Sequence, residues 1–107
     1  MTRKYRNVPT EVDGIRFASK AEARRYSELK LLQRAGEISD LTCQPAYNLV
    51  VNGHKICRYT ADFSYLTKAG EPVTEDVKGT IARDFPVKRK LFRALLGREI
   101  VVIGRAA

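Results

Sequence analysis

Residues Tyr59 to Gly79 read YTADFSYLTKAGEPVTEDVKG, and their two-residue rhythm decides how the chain folds. Thr67-Lys68-Ala69-Gly70 has the composition of a turn between two β-prone runs, from about Lys55 to Leu66 and from Pro72 to Lys78. Successive side chains on a strand point to opposite faces. In the first run Thr60, Asp62 and Ser64 share one side, and Ala61, Phe63 and Tyr65 the other. In the second, Thr74, Asp76 and Lys78 oppose Val73, Glu75 and Val77. If the turn pairs the two strands, Asp62, Asp76 and Lys78 converge on one face of a sheet.

Two carboxylates held close together repel unless a proton or a cation intervenes. A divalent metal resolves the repulsion, and hard oxygen donors favour Mg²⁺ or Mn²⁺. Lys78 would stand where an ammonium can stabilise a developing phosphorane or orient an attacking water. The metal would lower the pKa of bound water and polarise the scissile phosphate. The plain alternative is a half-exposed carboxylate ladder with a lysine salt bridge, which contributes little to stability.

Working outward, Asp13-Gly14 between apolar residues predicts a tight hairpin over Glu11–Phe17. Ser19 reads as a helix N-cap, with Glu22 three residues on completing a capping box. The helix is expected from about Lys20 to Ala35, with Gly36 as its stop. At 100° per residue its apolar stripe holds Ala18, Ala21, Tyr26, Leu29 and Leu32. Glu22 falls in that stripe, so it is either a helix cap or a fourth acidic group facing the sheet. Arg25 falls there too, which makes an Arg–Glu pair a competing use.

A broken extended stretch follows over Leu41–Val51, interrupted by Pro45, and Asn52-Gly53 predicts a second hairpin. Beyond the central strands, a helix is expected from Asp84 to Gly97, with Pro86 in its first turn and Val87, Leu91 and Leu95 packing inward. Arg98–Ile103 reads as a buried final strand. The order α-β-β-β-α-β makes the chain α/β with a mixed sheet, because the last strand follows a helical crossover.

The 107 residues fit one domain. Residues 1–10 read as a flexible basic arm and 11–107 as the folded unit. No apolar run approaches the ~20 residues of a membrane span. The basic start lacks an apolar stretch after it, so no secretory signal is expected and the cytoplasm is the expected location. In that reducing compartment Cys43 and Cys57 should stay free thiols, and with the lone His54 they form no zinc pattern.

Lys and Arg number 20 against 12 Asp and Glu, a formal net charge of +8. Such an excess suits a polyanion such as nucleic acid, and it equally describes a solvated basic surface. Its distribution is uneven. Arg3, Lys4 and Arg6 lie in the arm, Lys20 opens the first helix, and Lys88, Arg89, Lys90 and Arg93 cover much of the second. The acids Asp62, Glu71, Glu75 and Asp76 cluster around the central strands instead. Next to a phosphodiester site, the cations would hold flanking phosphates and give salt-dependent binding.

A helix glutamate, an Asp on a strand and (Asp/Glu)-x-Lys on the next strand resemble the PD-(D/E)xK nuclease superfamily. Here those elements are Glu22, Asp62 in YTADF, and Asp76-Val77-Lys78 in EDVKG. The stretches VDGIRFASKAEARRY, LTCQPAY and YTADFSYLTKAGEPVTEDVKG are similar to small phage-encoded nucleases within it, which resemble four-way (Holliday) junction resolvases and endonuclease subunits of some transposases. The resemblance covers most of the chain from Phe17 onward. It implies a restriction-endonuclease-like core, with 11–107 as a single nuclease domain, and a Mg²⁺-dependent DNA endonuclease in which Mn²⁺ can substitute. It implies Asp62, Asp76, the Val77 carbonyl and Glu22, directly or through water, as metal ligands, and Lys78 as the catalytic lysine. Ala61 stands where the superfamily name has proline, and Gln44 stands where a polar residue often lies near the site. The implied products carry a 5′-phosphate and a 3′-hydroxyl, and coordinated cutting of two strands implies a homodimer. If the chain is phage-encoded, the cytoplasm is that of the host. The reading from another class is a DNA-binding or phage structural protein that keeps the nuclease fold without its chemistry.

Overall fold

The computed structural model describes residues 8–78 and 82–104. Along them run β1 (Thr10–Val12), β2 (Ile15–Phe17), α1 (Lys20–Arg34), β3 (Ile38–Cys43), β4 (Ala46–Val51), β5 (His54–Thr60), β6 (Phe63–Thr67), β7 (Pro72–Lys78), α2 (Phe85–Leu96) and β8 (Ile100–Gly104). Both expected hairpins turn on an Asx-Gly pair: Asp13 and Gly14 have φ of 53° and 75°, Asn52 and Gly53 of 50° and 79°. Positive φ at both central residues matches the twist of the flanking strands, and a glycine at the second position relieves the strain. Ser19 caps α1 by accepting the Glu22 N–H at 3.2 Å, and its hydroxyl donates to Glu22 Oε2 at 3.3 Å. α2 follows Asp84, carries Pro86 in its first turn and stops at Gly97.

A four-stranded mixed sheet in the order β3-β6-β7-β8 forms the centre. β3 and β7 pair antiparallel with β6, and β8 runs parallel to β7 after the α2 crossover. Leaving aside the β1–β2 hairpin and the β4–β5 ribbon, the helices and the central sheet keep the expected α-β-β-β-α-β order. The fold is α/β with a mixed sheet.

One expected strand is two. The run from Lys55 to Leu66 divides at Ala61–Asp62 into β5, which pairs with β4, and β6, which pairs with β3 and β7. No glycine or proline marks the division, because the chain stays extended and only its partners change. The Ala61 N–H still donates to the Pro45 carbonyl at 3.0 Å, whereas the Asp62 N–H donates to the Glu75 carbonyl at 3.1 Å. Among the described residues, five strands therefore lie between the helices where three were expected. β1 also starts inside the expected arm, at Thr10, whose hydroxyl donates to the Val8 carbonyl at 3.0 Å. Residues 1–7 lie outside the described residues.

Each face of the sheet has its own core. On one, Phe63 packs with Phe17, Ala23, Tyr26, Leu29 and Ile38 beneath α1 and the first hairpin. On the other, Ile100 and Ala61 pack with Leu49 and Tyr59 of the ribbon and Phe85 and Phe92 of α2. Both helices are rotated from their expected orientation. α1 buries Ala23, Tyr26 and Leu29 and leaves Ala21 and Leu32 exposed, as is Ala18 before its N-cap. α2 buries Phe85 and Phe92, with Leu91 half-buried, while Val87 and Leu95 are 68% and 40% exposed. Two phenylalanines seven residues apart share a face and bury more surface than the aliphatic stripe beside them. Neither described helix is long and apolar enough to cross a membrane.

The face covered by α1 also holds a charge. Glu75 is 1% exposed. The Arg25 guanidinium reaches it from α1 with two bonds, Nε to Oε1 at 2.8 Å and Nη2 to Oε2 at 2.7 Å, and the Tyr65 hydroxyl donates to Oε2. Burial and the Glu75 carboxylate push the Tyr65 hydroxyl up to about 12. Removing one member of such a pair strands the other charge, a loss of about 3–5 kcal/mol, whereas an apolar replacement of both is often neutral. Arg25→Met should therefore lower the free energy of urea unfolding by about 3–5 kcal/mol, and Arg25→Met combined with Glu75→Leu should recover most of it. A double variant as unstable as the single one would refute this account.

Candidate active site

Asp62 occupies the point where the chain passes from the ribbon into the central sheet. Its N–H donates to β7 and its carbonyl accepts the Gln44 N–H at 2.8 Å, so both sides of its peptide backbone are held. Gln44 sits with φ of 54° at the corner between β3 and β4. It is the Gln44 backbone that touches Asp62, while the exposed side chain projects from the corner. The Asp62 side chain is anchored as well, with Oδ2 accepting the Val77 N–H at 2.7 Å.

The register Phe63↔Glu75 and Ser64↔Thr74 places Asp62 one step further along, level with Asp76. Asp76 is 2% exposed and belongs to the sheet face covered by α2 and the ribbon. Its Oδ2 accepts the Tyr59 hydroxyl and lies 3.4 Å from Lys78 Nζ. Lys78 Nζ also lies 4.4 Å from the centre of the Phe85 ring, a cation–π distance. Asp62, Asp76 and Lys78 thus come together as strand alternation predicts, and Glu75 lies on the opposite face with Arg25.

Glu22 stands apart from this group. It is half-buried at the start of α1 and bonded to Ser19, and its charge reaches Asp62 only as a minor influence. Arg25 pairs with Glu75 and Glu28, not with the Glu22 beside it in the stripe. Among the described residues no three His, Cys, Asp or Glu side chains gather closely enough to hold a metal ion. The acidic centre is a pair.

Sequence reasoning missed Tyr59 and Phe85. Tyr59 is read there as part of a strand continuous with Asp62, and only the ribbon's separate pairing brings its hydroxyl onto Asp76. A tyrosine among apolar neighbours usually needs a hydrogen-bond partner, which was the available signal. Burial and the Asp76 carboxylate together raise the Tyr59 hydroxyl well above its ordinary value, keeping it a donor.

The cations are spread more widely. Lys88 and Arg89 lie between Phe85 and Phe92 on the helix and are half-buried, Lys88 pairing with Asp84 at 3.0 Å. Lys20, Lys90 and Arg93 are exposed, Arg93 lying 3.8 Å from Glu99. Arg3, Lys4 and Arg6 lie outside the described residues.

Burial pushes the Asp62 carboxyl up to about 8, reinforced by a hydrogen bond and the charge of Asp76 and opposed by the Val77 N–H. An acid raised in this way keeps a proton in the native state that the unfolded chain releases near pH 4. Its stabilising effect is complete below that value and is lost as pH rises toward 8. In buffer containing a chelator, Asp62 should contribute a loss of stability as pH rises from 4 to 8. Asp62→Asn, which can still accept from Val77, should flatten that decline and be the more stable protein at pH 8. Parallel pH profiles for the two proteins in urea would contradict this.

No curated protein and no solved structure matches the chain. Residues 2–101 match a family described as "Protein of unknown function (DUF1064)". That match spans nearly the whole chain, including both helices, Asp62, Asp76 and Lys78. The chain belongs to the DUF1064 family.

Proposed function

We propose that this chain is a metal-dependent endonuclease that hydrolyses phosphodiester bonds in DNA. One observation carries the reading: Asp62 and Asp76 on adjoining strands, with Lys78 Nζ 3.4 Å from Asp76, in a chain of net charge +8. A basic DNA binder gains nothing from two acids beside a lysine, since each repels phosphate. A phosphodiester hydrolase needs such a set. The α-β-β-β-α-β order of the helices and central sheet supports a restriction-endonuclease-like core.

The donors suit a hard divalent cation. Asp76 is close enough to oppose the ionisation of Asp62, the situation a cation relieves. Both offer carboxylate oxygen, and with the Val77 carbonyl they would hold Mg²⁺ or Mn²⁺. When bound, that cation lowers the pKa of a water and polarises the phosphate to be cut. Glu22, at the capped end of α1, would act through water. The Lys78 ammonium, held between Asp76 and the Phe85 ring, stabilises charge as it develops on the phosphate. Tyr59 keeps the Asp76 carboxylate in one orientation. Lys20, Arg89, Lys90 and Arg93, with the arm cations Arg3, Lys4 and Arg6, hold the flanking phosphates, and Lys88 does so when released from Asp84. One chain supplies one such site, so paired cuts, as at a four-way junction, call for a homodimer. The work would be done in the cytoplasm, that of the host for a phage-encoded protein.

Cleavage of branched, duplex and single-stranded DNA in Mg²⁺, Mn²⁺ or EDTA tests the reading. Metal-dependent cutting of at least one substrate is expected. Asp76→Ala should abolish it while DNA binding is retained or strengthened, and Lys78→Ala should slow it by roughly 10²-fold or more. Metal-independent binding without cutting would make this a non-catalytic DNA-binding or structural protein, and unchanged cleavage by Asp76→Ala would dismiss the site.

A further inference from the structure

The β4–β5 ribbon is an addition to the central sheet, and its two faces differ sharply. Directly paired residues of an antiparallel ribbon share a face. Tyr47↔Tyr59 and Leu49↔Cys57 face the α2 core, where all four are buried or half-buried. Ala46↔Thr60, Asn48↔Arg58 and Val50↔Lys55 form the other face, and all six are exposed. The register shifts between Leu49 and Val50, leaving Ile56 as the extra residue of a bulge. Without the bulge Val50 would meet Ile56, and Lys55 would turn toward the core, because a one-residue slip reverses the faces. The irregularity therefore delivers a second cation to the outer face.

That face has a distinct chemistry. No Asp or Glu occurs from Cys43 to Ala61, and neither Lys55 nor Arg58 forms an ion pair among the described residues. Asn48 stands opposite Arg58, a side-chain amide beside a guanidinium, both exposed. Packing within the chain accounts for none of these groups. The ribbon is also tied to the candidate site: Tyr59 reaches Asp76 from its inner face, and the chain runs only two residues beyond Thr60 to Asp62.

We propose that the outer face of this ribbon, through Asn48, Lys55 and Arg58, enters a groove of duplex DNA beside the Asp62–Asp76 pair. This rests on the nuclease reading for its choice of polyanion. A two-stranded ribbon fits the major groove, and one of this length, about 20 Å, crosses it. Lys55 and Arg58 complement the phosphates that wall the groove. Asn48 and Arg58 offer the donors and acceptors that meet base edges, and Val50 and Ile56 can meet a thymine methyl group. The ribbon holds the duplex in register while the acidic pair lies at its base.

The test is fluorescence anisotropy with a labelled duplex in EDTA, where no cutting intervenes, over a range of salt. Lys55→Ala and Arg58→Ala should each weaken binding and reduce the slope of log K against log salt by about 1. Asn48→Ala should weaken some duplex sequences more than others. Lys68→Ala removes the same charge from the β6–β7 turn, at a side chain 76% exposed, and should leave the slope unchanged. All four positions are exposed, so thermal unfolding should be unaffected and serves as the control on folding. Slopes unchanged by the ribbon variants, an equal change from Lys68→Ala, or no duplex binding by the native protein would overturn the proposal. Loss of affinity only on Val50→Ser or Ile56→Ser would overturn it too, in favour of an apolar partner. Cleavage is scored separately: duplex bound through the ribbon with no branched, duplex or single-stranded substrate cut refutes the nuclease and spares the ribbon, and cutting with unaltered slopes does the reverse.

Discussion

The backbone of Asp62 joins the ribbon to the central sheet by main-chain bonds, alongside the core that the two share. Its N–H is given to β7 and its carbonyl receives the Gln44 N–H, while one residue earlier Ala61 still belongs to the ribbon side through Pro45. This short crossing unites the central sheet, the ribbon and the two cores. It also leaves the Asp62 side chain little freedom, since its carboxylate accepts from Val77 as well. Orientation at this position is thus supplied by main-chain bonds, the groups least altered by substitution.

β7 distributes its charges by the pleat. Glu75 points into the α1 side, where Arg25 neutralises it and Tyr65 donates to it, and Asp76 points into the α2 side beside Tyr59 and Lys78. Thr74, completely buried, bonds Tyr47 and lies within reach of Arg98. Three consecutive buried polar residues in a central strand would be costly unpaired. No described buried polar side-chain atom lacks a partner. The arrangements differ in kind: Glu75 is enclosed by a guanidinium fork, while Asp76 shares its surroundings with another acid and a single ammonium. The first secures the α1 helix to the sheet; the second holds Asp62 against the opposing influence of Asp76.

Much of this was readable from local chemistry. The Asx-Gly turns, the Ser19 cap, the Gly97 stop and the pairing of the two central strands depend on residues close in sequence, and each forms as expected. The convergence of Asp62, Asp76 and Lys78 followed from a period of two and one turn. What failed was non-local. Nothing near Ala61 announces that an extended chain changes partners there, because β-branched and aromatic residues suit either sheet. The helix rotation departs from the local pattern for a related reason: Phe85 and Phe92 prevail over Val87 and Leu95 only because Tyr47 and Tyr59 of the ribbon stand ready to pack against them. The neighbour of Tyr59 at the site is set by the ribbon, whereas the pleat alone places Glu75 on the face away from Lys78.

The two thiols fall on opposite sides of this architecture. Cys43 packs against the core beneath α1, and Cys57 against the core beneath α2 and the ribbon. Each is partly shielded, so a thiol reagent reaches it fully only when its own layer loosens. The chain therefore carries a built-in pair of reporters, one per layer, with no label to be engineered. Equal modification rates would describe a molecule that opens as one body. Unequal rates would mean that one layer breathes while the other stays closed, and would identify which.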